Sequence, residues 1–295
     1  VSDVDYIRIV NEEYYDNPQN YSPTVLLTVQ AGPSPVVITV GDQSNAGDEG
    51  SIIVGQSALF GNTDGTTAIN IEDGAQIISR NNAYYDAGTN TVVGGYRNVR
   101  ISDGGRGAAI SVTGDGSALL AYGTGARITV GASGLGVGTL SIDDGASAGT
   151  LGVFVGDGAV GHLSVSDDYN DPDYVNRTEL NINDTYGQYG GALSAVAGGL
   201  TVGVNGGQGI VSLSYAGAIN VSNTDGVTDA PFVNVGRDVG STGQINVERF
   251  GAELNITQNG TAAAGGAFLG IGRDGAATVS VSGGGLSVTG DNALI

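Results

Sequence analysis

The sequence predicts an all-β fold: a parallel β-helix, or β-solenoid, with about three short strands per coil. Three observations favour it: a repeat of short alternating segments, glycine-rich turns between them, and enough apolar residues for a stacked core. The chain has 295 residues, of which 53 are glycine, 6 are proline and none is cysteine or tryptophan. There is no Gly-X-Y period, so the glycine content indicates turns and not a collagen-like helix.

The repeat is clearest in the last third of the chain, where three units each hold three short segments. The segments are 200–203, 210–214 and 218–222, then 232–236, 244–247 and 253–257, then 268–272, 278–281 and 285–289. Apolar residues alternate with small or polar residues in each, which is typical of strands with one buried face. Val202, Val235 and Ile271 occupy equivalent places at separations of 33 and 36 residues. We expect these three side chains to point inward and stack in register.

The same pattern extends upstream, with irregularities, to about Val36. A β-sandwich would show paired hairpin turns and more aromatic core residues, and a propeller blade would need a fourth strand. Neither feature is present, so the solenoid is predicted over residues 31–295.

The first thirty residues differ from the repeat and hold four tyrosines, Tyr6, Tyr14, Tyr15 and Tyr21. Because the end of a solenoid exposes unpaired strand edges, we interpret residues 1–30 as an N-terminal cap or a docking segment. At the other end, residues 292–295 resemble the start of a further strand. This predicts either a continuing chain or a neighbouring copy, stacked head to tail into a filament.

The charge balance excludes several classes of partner. The net charge is −20, and all ten basic residues are arginine. With no basic stripe to offset it, this charge argues against nucleic-acid binding and anionic lipid surfaces. No apolar run approaches the length of a membrane span, so no membrane insertion is expected. The absence of cysteine excludes thiol nucleophiles and zinc–thiolate sites.

An acidic insertion interrupts the repeat between Val165 and Leu180. Its oxygen-bearing side chains are Asp167, Asp168, Asn170, Asp171 and Asp173. Oxygen ligands at such spacing suit Ca²⁺, although the loop lacks the glycine and terminal glutamate of an EF-hand. Solvated acidic turns have the same composition, so calcium and a plain surface insertion both remain open. No cofactor is otherwise required.

Catalysis is not expected, and the alternative is a polysaccharide-acting β-helix enzyme of the lyase, hydrolase or phage tailspike type. Such an enzyme needs clustered carboxylates, or Ca²⁺ with a basic residue. Asp143, Asp144 and Asp157 are the candidates for an acidic cluster, but Asp-Gly pairs are also turn residues. His162 is the only histidine, and no Ser-His-Asp arrangement surrounds it.

Two further patterns belong to the predicted surface. Arg237-Asp238 and Arg273-Asp274 follow equivalent strands, so the arginine of one coil is expected to meet the aspartate of the next, with an acidic-sugar site as the alternative. Several sequons are present, which chance also explains in a chain rich in Asn and Thr. Five of them begin at Asn176, Asn183, Asn220, Asn255 and Asn259.

The wording Val-Asn-Val-Gly, Gly-Gln-Ile-Asn-Val and Gly-Ala-Glu-Leu-Asn-Ile-Thr between residues 233 and 257 resembles the repeats of bacterial autotransporter passengers and related large secreted adhesins. The resemblance is at the level of the repeat and covers about two thirds of the chain. It implies an extracellular or cell-surface location and a structural or adhesive role. The expected partners are other copies of the chain or glycans on host or neighbouring cells.

Overall fold

The structure, a computed structural model, describes fourteen stretches of the chain. They are residues 2–4, 6–10, 25–41, 50–56, 66–81, 84–86, 91–93, 98–104, 107–123, 125–167, 177–183, 199–223, 230–259 and 266–295. These residues form a parallel β-helix with three sheets, here called A, B and C. The chain visits B, C and A in turn, so each coil contributes one strand to each sheet. The predicted fold class is confirmed.

Sheet A has nine strands. They are β1 (Ser2–Val4), β4 (Val37–Val40), β7 (Gln76–Asn81), β12 (Ala118–Gly123), β15 (Ser147–Thr150), β18 (Glu179–Asn183), β21 (Ala218–Asn223), β24 (Glu253–Gln258) and β27 (Gly285–Thr289).

Sheets B and C have eight strands each. Sheet B contains β2 (Tyr6–Val10), β5 (Ser51–Gln56), β10 (Val99–Asp103), β13 (Arg127–Ser133), β16 (Gly152–Asp157), β19 (Gly199–Val204), β22 (Phe232–Val235) and β25 (Phe268–Ile271). Sheet C contains β3 (Val25–Gln30), β6 (Thr66–Glu72), β11 (Gly107–Thr113), β14 (Val137–Asp143), β17 (Val160–Ser166), β20 (Gln208–Ser214), β23 (Thr242–Glu248) and β26 (Ala276–Ser282).

The core is a column of aliphatic side chains that runs through the centre of the stack. Burial alternates at every residue of β11, which is the period of a strand with one face on the core. Leu213, Val247 and Val281 lie on successive strands in direct register. A single strand of three to seven residues has nothing to cover its apolar face, and stacking of the coils buries that face.

The last coil departs from the prediction that its inward residues are buried. Val202, Val235 and Ile271 are in register as expected, and the first two are fully buried. Ile271 is 47 % exposed and Val281 is 44 % exposed. Their strands are the outermost described members of sheets B and C, so no described coil covers them.

Three strands of the first thirty residues join the sheets. Strand β2 pairs with β5, β3 with β6, and β1 with β4, all in parallel. The described part of this segment therefore extends the stack. Within it, the alternation of apolar and polar residues is limited to short isolated strands. Its role as a cap or docking segment stays a prediction.

Two features lie outside the predicted pattern. A small antiparallel hairpin, β8 (Tyr84–Asp86) with β9 (Thr91–Val93), stands between β7 and β10. On sheet B, Phe232 and Phe268 are register partners. Both are only partly buried, and the Phe232 ring lies where a Cβ on Gly199 would be. These aromatic rings cover the sheet and do not form the core.

Candidate functional site

The predicted calcium loop falls largely outside the described residues, which include Asp167 but not Asp168, Asn170, Asp171 or Asp173. Asp167 follows β17, and its carboxylate accepts a hydrogen bond from the Thr178 amide at 3.4 Å. This hydrogen bond therefore joins the two ends of the insertion. The described residues hold no group of three or more His, Cys, Asp or Glu side chains suited to a metal ion. Calcium at residues 167–173 therefore stays a prediction.

The three candidate catalytic aspartates do not form one cluster. Asp143 ends β14, and its carboxylate accepts hydrogen bonds from Ser141 and Ser166. Asp144 is a turn residue with φ of 57°, whereas Asp157 ends β16 on sheet B. Asp157 lies before the start of β17 and Asp143 is level with its end, a separation of about 20 Å at ~3.3 Å per residue.

The outward face of sheet C carries a row of polar side chains. Ser111, Ser141, Ser164 and Ser212 are register partners on successive strands. His162 is exposed on the same face. Neighbouring side chains in the row are about 4.8 Å apart, the spacing of hydrogen-bonded strands.

Sheet A carries an asparagine ladder in which two of the predicted sequons take part. The Asn220 side-chain amide donates to Asn181 at 3.0 Å, and that of Asn255 donates to Asn220 at 3.2 Å. The side chains face outward as expected but are half-buried. Their amide nitrogens are engaged in bonds between coils, which indicates a structural role.

The expected Arg–Asp ladder between coils is wrong. Among the described residues, each guanidinium forms its ion pair with its own sequence neighbour, at 3.7 Å for Arg237–Asp238 and 3.5 Å for Arg273–Asp274. The Asp238 carboxylate instead accepts a hydrogen bond from the backbone N–H of Asn205 in the preceding coil, at 3.1 Å. The turn backbone orients the two side chains of each pair toward one another, which sequence spacing does not reveal.

A site that the sequence analysis missed lies at the CA corner, the row of turns joining sheet C strands to sheet A strands. Arg177 bridges three coils there. Its Nε donates to the Ala216 carbonyl and its Nη2 to the Gly251 carbonyl, each at 2.7 Å. Its Nη1 lies 3.1 Å from Glu253 Oε2. One planar guanidinium thus fixes two neighbouring turns.

The pKa of Glu253 is lowered below its ordinary value, first by a hydrogen bond from Asn255 and then by Arg177. The Asn255 amide donates to the carboxylate at 3.2 Å. Ionised Glu253 therefore stabilises the folded state above the unfolded pKa, near 4.5, and this contribution is lost as the pH falls through the lowered folded pKa.

We expect Arg177→Ala to lower the free energy of unfolding by about 2 kcal/mol at pH 7, because it removes charge-assisted hydrogen bonds at a partly exposed site. The difference in free energy of unfolding between the variant and the native chain should be smaller at pH 3, because lowering the pH protonates a growing fraction of the Glu253 carboxylate and weakens its contact with Arg177. Urea unfolding at both pH values measures it. Arg237→Ala is the matched control, with an exposed pair worth less than about 1 kcal/mol. A difference that is the same at both pH values would contradict the Arg177–Glu253 contribution.

Tyr215, Arg249 and Phe250 occupy the two turns that Arg177 holds. The Arg249 guanidinium carbon lies 4.6 Å from the centroid of the Tyr215 ring. The Ala216 amide donates to the Phe250 carbonyl at 3.0 Å, and the Phe250 side chain is 88 % exposed. In the sequence, the one signal for this site is that Tyr215, Arg249 and Phe250 stand where other coils have Asp-Gly pairs. This replacement becomes visible only when the turns are aligned.

No protein-family model matches this chain, and no curated protein matches its sequence. Among solved structures, the chain is similar to the crystal structure of a TibC-catalysed, hyper-glycosylated TibA55-350 fragment. The identity is 15 %, the match covers 92 % of this chain and 82 % of that one, and the TM-score is 0.18. The part of the chain that the structure describes has no helix long and apolar enough to cross a membrane.

Proposed function

We propose that this chain is an extracellular, non-catalytic β-solenoid rod with a structural and adhesive role at the cell surface. The observation that carries the proposal is the arrangement of the described residues in three long parallel sheets around one apolar column. Stacked coils of this kind present extended surfaces on which binding side chains repeat at a fixed spacing. The sequence resemblance to autotransporter passengers adds the surface location.

The outer surface supports an interaction role. Its sheet faces carry short polar side chains that bond to neighbouring coils, such as the Asn181–Asn220–Asn255 ladder. The three most exposed apolar side chains among the described residues lie in turns: Phe250, Leu135 and Val239, at 88 %, 83 % and 82 %. The net charge of −20 is expected to keep the rod soluble and away from polyanions.

The alternative, a polysaccharide-acting enzyme, has less support. Asp143 and Asp157 lie on opposite sides of sheet C, about 20 Å apart at ~3.3 Å per residue, which is beyond the ~5–10 Å spacing of a glycosidase carboxylate pair. Aspartate is common in turns because its side chain hydrogen-bonds to the nearby backbone and because it tolerates the left-handed conformation.

Binding and turnover assays on the same purified chain test the proposal. Beads coated with the protein are expected to adhere to cell or glycan surfaces, with no release of reducing ends or unsaturated products from neutral and acidic polysaccharides. Coated beads that adhere no better than albumin-coated beads would contradict the adhesive role. Turnover that Asp143→Asn or Asp157→Asn abolishes would establish the enzyme alternative.

Two proposals from the sequence accompany this function: Ca²⁺ at residues 167–173, and head-to-tail assembly with other copies. A chelator-dependent melting temperature and a concentration-dependent sedimentation coefficient are the respective tests.

A further inference from the structure

The CA corner changes its composition along the axis of the solenoid. The first residue of each turn has positive φ in six of the seven described turns. These six residues are Asp73, Gly114, Asp144, Tyr215, Arg249 and Gly283, with φ of 55°, 89°, 57°, 44°, 70° and 81°. Four of them are Asp or Gly, the residues that this backbone conformation favours. The two that differ, Tyr215 and Arg249, lie in consecutive coils.

Tyr215 and Arg249 are unfavourable choices for the backbone they adopt. In the left-handed region the Cβ of an L-residue approaches the backbone, and Gly, Asn and Asp reduce or offset that cost. The turns of the other coils show that the same corner is built without bulky residues. Strain that persists at one point in a repeat, while other coils avoid it, indicates a requirement other than stability.

The strained side chains form a preorganised platform. Arg249 stacks over the ring of Tyr215, which holds a flat cationic and aromatic surface across two coils. Arg177 hydrogen-bonds to the carbonyls of both turns, at Ala216 and Gly251. Phe250, the second residue of its turn and the neighbour of Arg249, is exposed to solvent. Arg249 and Phe250 are adjacent and both exposed, so one ligand can contact the guanidinium, which its stacking on Tyr215 orients, together with an aromatic ring.

We propose that Tyr215, Arg249 and Phe250 form a binding site for uncharged glycans. The C–H bonds on one face of a pyranose ring carry partial positive charge and pack against the negative face of an aromatic ring. The guanidinium supplies N–H donors for sugar hydroxyls, and the exposed carboxylate of Glu248 supplies an acceptor. The inference rests on the adhesive function proposed above and assigns its contact surface.

The acidic side chains around the CA corner favour an uncharged ligand. Asp167, Glu248 and Glu253 flank the site, and Arg177 is already paired with Glu253. The net charge of −20 adds repulsion at longer range. A uronic-acid or sialic-acid polymer would meet that field, whereas a neutral glycan would not.

Single exposed apolar residues are common on protein surfaces and provide the matched control. Val239 is 82 % exposed in the turn between β22 and β23, in the same coil as Phe250 but at another corner. It has a branched aliphatic side chain without a planar face. Truncating it removes a similar apolar exposure without touching the platform.

The test uses the full chain on an array of neutral glycans built from glucose, galactose, mannose and N-acetylglucosamine, with sialylated and sulfated glycans beside them. The neutral glycan that binds best is then titrated by calorimetry. Phe250→Ala is expected to weaken binding by about tenfold or more, as for loss of an aromatic hot spot. Arg249→Asn is expected to weaken binding while leaving the melting temperature unchanged or raised, because Asn tolerates positive φ. Val239→Ala is expected to bind like the native chain.

The proposal is overturned if no neutral glycan binds, if sialylated or sulfated glycans bind better, or if Phe250→Ala binds like the native chain. A lower melting temperature for Arg249→Asn, with binding unchanged, would make the corner purely structural. Bead adhesion separates this failure from that of the adhesive role. If the Phe250→Ala protein still mediates adhesion, the corner is excluded and adhesion stands. If the native chain mediates none, the adhesive function itself fails.

Discussion

Val247→Asp is expected to lower the free energy of unfolding by about 3–5 kcal/mol, the cost of an uncompensated charge in a protein interior. Val247 is fully buried in the central column, in register between Leu213 and Val281. Hydrophobic neighbours offer the carboxylate no hydrogen-bond donor. Burial would raise the pKa of the introduced carboxyl, so the loss of stability should become smaller as the pH is lowered.

Asn246→Asp is the control for this substitution. Asn246 precedes Val247 on β23 but faces outward and is only partly buried. Its side-chain oxygen accepts a bond from Gln244 at 3.0 Å, which a carboxylate can also accept. Urea unfolding followed by circular dichroism compares the two proteins. Equal unfolding midpoints would contradict the inward orientation of Val247, and with it the core of the solenoid.

The second large effect is expected for Gly203→Ala, at about 2–5 kcal/mol. Gly203 has φ of 75°, and a Cβ there would lie 2.3 Å from the Thr242 carbonyl oxygen in the next coil. The left-handed conformation costs an L-residue about 1–2 kcal/mol. Overpacking adds about 1–3 kcal/mol, because the atoms met are backbone and have little room to move.

Gly206→Ala separates the conformational cost from the steric one. Gly206 has φ of 77°, almost the same as Gly203, but a Cβ there would meet nothing within 4 Å. We expect this substitution to cost only about 1–2 kcal/mol. Thermal unfolding of both variants gives the difference. Equal melting temperatures would show that the close approach of the two coils at Gly203 relaxes without cost.

The same close contact recurs along the stack, which explains much of the glycine content. A Cβ would lie within 2.5 Å of backbone in the adjacent coil at the equivalent glycines. These are Gly131, Gly156, Gly203 and Gly236, which lie in or just after the C-terminal half of sheet B strands. The sequence analysis interpreted such glycines as turn residues only. Their second role, allowing two backbones to approach, depends on distances between coils.

Local patterns were sufficient to predict the strands and their register. The alternation around Val202 and Val235 identifies the buried face of each strand, because the side-chain period of a strand is two. Equivalent positions in successive units turned out to be register partners, including Leu213 with Val247 and Val221 with Ile256. A repeat reveals its register because each unit must pack against a copy of its own pattern.

The predicted sites depended on the tertiary structure more than the predicted strands did. The candidates Asp143 and Asp157 are 14 residues apart in sequence but belong to different corners of the stack. Arg237 and Asp274 were expected to pair, yet each turn directs its own Arg and Asp toward one another. Side-chain direction in a turn follows from its dihedral angles, and those are not encoded in residue spacing.

The sequence by itself determined that this chain is a β-solenoid of three strands per coil, because alternation and repetition are local properties of the chain. Only the tertiary structure decided which turns lie side by side. Arg177 and Gly251 are 74 residues apart and are joined by one hydrogen bond. The insertion after Asp167 makes their coils unequal in length, so spacing alone does not align them. Hydrogen-bonded strand register brings Arg177, Tyr215, Arg249 and Phe250 to one corner.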